Sequence, residues 1–393
     1  MEMSAYRARA QEYATALGGA HHRHYAGVDP TWEPTAIHAA FADVMADEAI
    51  DHLADLAQNG NAGARLLWGF AVRSRLRAVA APHDAQRARL EGASGLAALT
   101  EELAVEPSPL RRHELEEARM TIVAEQLSAP AAAALDAVRR EIRALGWPSA
   151  RALWTAMTKV DLGALGRHAE TLLREESAPT LDGALTRADG PAWHRAAWAD
   201  HHFPADGQLA LLHDALRQAG ADPDAPGFAI DAEPRPGKSP RAFCAAVTVP
   251  GDVHLVVRPG AGVGAAESLF HEAGHALLLV SRDPSWRFEE RHLLPAHLGE
   301  AAAFAFEARL PDFGDERLRE HLRLRRILRR RRQAARLLHE LDLLDRGPVK
   351  ELRERYAQRM ATATGLDWPG APWLVDADPL LTAADYVRAE QLL

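Results

Sequence analysis

The sequence predicts a mainly α-helical protein of many helices with one small β-sheet in its C-terminal half. Three observations predict it. Ala, Leu, Arg and Glu are abundant, and these are strong helix formers. Up to about residue 220, apolar residues recur mostly at spacings of three and four, with some of five, as in Leu110, Leu115, Ala118, Ile122 and Leu127. That is the period of a helix with one buried face. Between residues 228 and 256 the texture changes to short, β-branched runs bounded by turns rich in Pro and Gly, which is the pattern of strands.

Each element follows from local signals. Glu33-Pro34 opens a helix, with proline in the first turn where its missing N–H costs little. Asn59-Gly60 ends it, and Pro107, Pro130 and Pro148 mark later boundaries. His21, His22 and His24 read as a solvated loop, because no carboxylate or cysteine at ligand spacing accompanies them. After residue 220, ADPDAPGF and DAEPRPGKSPRAF read as loops. FAID, FCAAVTV and VHLVV read as the strands, and a helix runs from Gly264 to Val280. Long helices follow, broken near Gly314, Gly347-Pro348 and the WPGAPW loop at 368–373. The expected organisation is a helical portion over 1–220 and a catalytic portion over 221–393, joined in one compact unit.

With 393 residues the chain can bury a sizeable core unaided by staples. Its net charge of −9 disfavours a global role on nucleic acid. A single cysteine, Cys244, permits no intrachain disulfide and fits a reducing compartment. The N-terminus has no apolar h-region, and no stretch approaches the ~18 apolar residues of a membrane span. The expectation is a cytoplasmic protein without nucleic-acid or membrane partners.

The chemistry is concentrated in LFHEAGHALLLV, residues 269–280. His271 and His275 are four apart, so on a helix both imidazoles lie on one face and reach one metal ion. Glu272, beside the first ligand, is placed to act as general base on a water whose pKa a bound zinc lowers to about 7. A hydrolytic zinc site needs a third protein ligand and an open position. Glu300, 25 positions after His275 at the start of an alanine-rich helix, is the candidate. The blander reading is that it only favours the helix dipole. Glu307, two turns further along the same face, either hydrogen-bonds a metal-bound imidazole or forms a surface ion pair. One Zn2+ per chain is expected.

Three segments resemble the thimet oligopeptidase and oligoendopeptidase F family of metallopeptidases. SLFHEAGHAL is similar to that family's zinc helix. GEAAAFAFE is similar to the segment where a glutamate completes the site, and DPLLTAADYVRAE to its tyrosine-bearing C-terminal helix. IDAEPRPGKSPRAFCAAVTVPGDVHLVV resembles the loop and strands before the zinc helix. The resemblance runs from about residue 180 to the end. It implies a zincin-type helical fold, a small sheet beside the zinc helix, a deep substrate channel and cleavage of short peptides. By the same resemblance Tyr386 steadies the oxyanion, and Thr382 stands where the family carries a second tyrosine.

The basic stretch 317–340 carries an apolar stripe that includes Leu318, Leu322, Leu328, Ala335 and Leu338. It reads as a solvated amphipathic face, and a subset of its arginines are candidates to bind a substrate carboxylate. Cys244 reads as a buried, inert thiol, and GAGVGAAE (260–267) as a turn into the zinc helix. The expected activity is a zinc metallopeptidase cutting short peptides. Two alternatives stand beside it. One is a zinc enzyme of the same fold turned to a dedicated small molecule or modified peptide. The other is a silent binding protein, against which the retained Glu272 speaks.

Overall fold

The computed structural model describes residues 2–181 and 186–393. These residues are mainly helical, with one three-stranded sheet. No described helix is long and apolar enough to cross a membrane. The chain groups into two compact units. The first takes Met1–Ala78, Trp198–Phe313 and Leu393, and the second takes Val79–Ala197 and Gly314–Leu392. Each unit mixes N-terminal and C-terminal sequence, in place of the expected portions 1–220 and 221–393. The change of texture near residue 220 marks where strands begin. Which helices share a core depends on which apolar faces fit, and those faces come from far along the chain.

In the first unit the three β-branched runs form strands β1 (Phe228–Asp231), β2 (Phe243–Thr248) and β3 (Asp252–Val256). The central strand β3 pairs parallel with β1 and antiparallel with β2. The N-terminal helix α1 (Met3–Tyr25) packs on β2. Gly18 permits that approach, since a Cβ there would collide with the carbonyl oxygen of Ala246. His21, His22 and His24 are not in a solvated loop but in the last turns of α1. His22 stacks on His254 with ring centroids 3.8 Å apart, and His21 and Tyr25 meet Phe243 edge-on. Histidine spacing could not show this, because the partner strands lie far along the sequence.

Strand alternation then sorts the sheet. Phe243 and His254 face α1, so Cys244 and its cross-strand partner Leu255 point to the other face. Helix α2 (Val263–Val280) packs on β2 and β3, and helix α3 (Ala296–Glu307) packs along α2.

The second unit is organised around the 31-residue helix α4 (Glu316–Arg346). It packs against α5 (Glu351–Thr364), α6 (Thr382–Glu390) and the helix Leu162–Glu175. The apolar stripe is buried as expected, and exposed arginines such as Arg323 pair with nearby acids. Arg331 departs from the solvated reading, being only 1% exposed. Its Nε and Nη2 donate to the carbonyls of Ala363 and Thr362 at 2.8 and 2.7 Å, at the C-terminus of α5. Its Nη1 donates to the carbonyls of Leu172 and Glu176, where Leu162–Glu175 ends. One cation thus meets the negative ends of two helix dipoles and gives a donor to last-turn carbonyls such as those of Thr362 and Ala363, while the Leu172 carbonyl also keeps the Glu176 N–H.

Candidate metal centre

Helix α2 places His271 and His275 one turn apart on one face, with ring centroids 4.9 Å apart. Helix α3 brings Glu300 to them. Its Oε2 lies 3.5 Å from His271 Nε2, and its Oε1 lies 3.8 Å from His275 Nε2. One ligand atom from each of the three residues falls within a 4.8 Å cluster. Ligands at ~2.0–2.2 Å around a tetrahedral zinc stand roughly 3.3–3.5 Å apart, so the spacing fits with a small contraction. A second observation points the same way. Glu300 Oε2 is shielded from solvent and has no hydrogen-bond partner, which is costly for a carboxylate oxygen unless a cation meets it. Two imidazoles and one carboxylate suit zinc and leave a fourth position open.

Glu307 is buried, and its Oε2 lies 3.2 Å from His271 Nδ1. Of the two readings left open by the sequence, the structure shows the imidazole partner. With Nδ1–H donating to Glu307, the neutral ring turns a bare Nε2 to the ligand cluster. Phe304 and Phe306 back the site, packing on His271 and Phe270.

Burial by itself would lower the His271 pKa. The hydrogen bond to Glu307 and the nearby charges of Glu300 and Glu307 outweigh it and raise the value to about 9. Burial pushes His275 down. A metal must therefore displace a proton from His271 below about pH 9. Apparent zinc affinity should fall as pH falls from 9 towards 6.5, by up to about tenfold per unit. Glu307→Gln should flatten that slope and weaken zinc about 10–100-fold at pH 9. Competition with a chromophoric chelator at several pH values reads both. An unchanged affinity in the variant would remove Glu307 from the site's support.

The two helices can meet because of a glycine. A Cβ on Gly274 would stand 2.6 Å from Ala303 Cα and 2.9 Å from Ala302 O, both backbone atoms of α3. Gly274→Ala should push α3 away, destabilise the unit by ~1–3 kcal/mol and lower zinc occupancy together with stability. Elemental analysis alongside urea unfolding checks it. Full occupancy at wild-type stability would show that the helices have slack.

Glu272 is half-buried beside His271, and burial raises its pKa. The backbone N–H of Cys244 donates to its Oε2 at 2.9 Å. Sequence reasoning passed over this contact, reading Cys244 only as a thiol. A main-chain donor on a strand leaves no residue-type signal. The thiol itself is pushed up by burial, in keeping with an inert group. Tyr386 and Thr382 lie in the second unit, on α6, where both are half-buried. The Thr382 hydroxyl donates to the Asp378 carboxylate just before the helix.

With this geometry in hand, comparison with known proteins adds the fold. No family model matches the chain, and no curated protein matches it. Solved structures do. Trypanosoma cruzi metallocarboxypeptidase 1 aligns at TM-score 0.49 and 17% identity, covering 98% of this chain and 84% of that one. A structure described as BsuCP aligns at TM-score 0.50 and 15% identity, covering 98% of this chain and 83% of that one. At such identity the likeness is one of fold. The chemistry rests on the side chains of this chain.

Proposed function

We propose that this chain is a zinc-dependent peptidase acting on short peptides, with His271, His275 and Glu300 as metal ligands and Glu272 as general base. The observation that carries the reading is the cluster of two imidazole nitrogens and an orphaned Glu300 oxygen with Glu272 beside it. Zinc, when bound there, polarises the scissile carbonyl and acidifies the attacking water. Glu272 takes the proton from that water on its carboxylate and returns it to the leaving amine. The Cys244 N–H holds one carboxylate oxygen of Glu272, leaving the other to accept the proton. The burial that raises the Glu272 pKa brings it closer to the neutral range, where a general base transfers protons best. Glu307 keeps the His271 ring oriented. Tyr386 is proposed as a donor to the oxyanion, and a narrow channel as the reason folded proteins are spared.

A second reading has its own observation. Thr382 stands where the resembling family carries a tyrosine, and its hydroxyl is committed to Asp378. That favours a dedicated small molecule or modified peptide over general peptides. One experiment separates the two. A library of short peptides is digested with the zinc-loaded enzyme, with and without chelator, next to a folded protein and its unfolded form. Chelator-sensitive cleavage of peptides and of unfolded chain supports the peptidase. No cleavage at full zinc occupancy favours the dedicated substrate.

A further inference from the structure

Among the described residues of the second unit, several guanidiniums gather around Trp368. Arg187 and Arg332 both stack on Trp368, with guanidinium carbons 5.0 and 5.3 Å from the ring centroid. Arg187 and Arg119 share a single carboxylate, Glu116. Arg332 makes no hydrogen bond or ion pair with any described residue, and its Nε is shielded from solvent. The Nε atoms of Arg187 and Arg119 are shielded and unpartnered too. Asp376 lies near enough for its charge to act on Arg332, yet its carboxylate already accepts the Tyr356 hydroxyl. Tyr356 in turn accepts the Trp368 indole N–H at 3.0 Å.

A guanidinium whose shielded Nε finds no acceptor among the described residues is an expensive arrangement, and like charges beside it add to the cost. Such a group makes sense where an anion arrives. Guanidinium forks match carboxylate and phosphate oxygens two at a time. Stacking on an indole fixes the plane of each fork; the Arg332 edge has no donor contact to a described residue, and Arg187 keeps its Nε beside the Nη1 that Glu116 holds. We propose that Arg332 and Arg187, aligned by Trp368, form an oxyanion-binding site in the second unit, taking the carboxylate or phosphate group of a small ligand. Its residues all belong to the second unit, and the proposal does not depend on the peptidase reading.

Calorimetric titration of the full zinc-loaded chain tests it, with three probes: inorganic phosphate, a free-acid tripeptide and the same tripeptide as its C-terminal amide. Sodium chloride at matched ionic strength is the reference. Wild type and Arg332→Met are compared, so that anything bound at the metal centre contributes equally to both and cancels. The wild type should show a saturable event that Arg332→Met weakens at least tenfold. Arg332→Lys keeps the charge and loses the fork. It should weaken binding at least threefold, and it decides the matter should the methionine variant not fold. A preference for the acid over the amide supports a carboxylate ligand, and phosphate binding without that preference supports a phosphate. Binding that is indifferent to Arg332, or no stronger than the chloride reference, overturns the site.

Discussion

Glu272→Gln is expected to lower kcat by about 10³-fold or more while zinc stays bound. The amide keeps the size of the carboxylate and still accepts the Cys244 N–H at its carbonyl oxygen. It cannot take a proton from water, and general base catalysis of this kind is worth ~10²–10⁴-fold. The three proposed metal ligands are untouched, so elemental analysis should return one zinc per chain in both proteins. The pairing of the two readouts matters. Lost activity with lost zinc would place Glu272 in the support of the metal, and activity within tenfold of wild type would show that another base operates. The measurement needs a peptide that the wild type cleaves, which the library digest supplies.

Arg331→Met should be the most destabilising single change in the second unit. The methionine fills much of the volume but donates nothing. The carbonyls of Thr362, Ala363, Leu172 and Glu176 then lose a donor at the ends of two helices. Buried acceptors left unpaired cost ~1–3 kcal/mol each, and partial relaxation leaves roughly 3 kcal/mol or more overall. For a unit of this size that lowers the melting temperature by about 6–12 °C. Differential scanning calorimetry checks it, and Arg331→Lys should recover only part of the loss, since one ammonium cannot reach both helix ends. A shift below about 2 °C for the methionine variant would mean that the carbonyls find other donors. Zinc content should be unchanged, because Arg331 and the proposed metal ligands belong to different units.

The contrast between these two residues shows what could be read without coordinates. Glu272 stood out as a candidate because metal chemistry demands particular residue types at a particular helical spacing, and chance seldom supplies them. Arg331 was not. In the sequence it is one arginine in a run of basic residues, and nothing local separates it from Arg323, which is exposed and paired with Glu320. The histidines near residue 22 failed for the same reason, since their partners are rings on distant strands. Glu307 lay between these cases. Its position on the ligand-bearing face was visible from the spacing, but burial against His271 was decided by how α2 and α3 pack.

By itself, then, the sequence determined the helical character, the three strands and the identity of the candidate ligands. Each of those depends on contacts within a few residues, where backbone geometry and side-chain period are the whole constraint. The tertiary structure alone decided the rest. It decided the division into units, the approach of α3 at Gly274, the Cys244 N–H that holds Glu272 and the burial of single arginines in a basic helix. The physical reason is common to all four. Each depends on which surfaces distant segments present to one another, and close packing between them is a property of shape that no local pattern encodes.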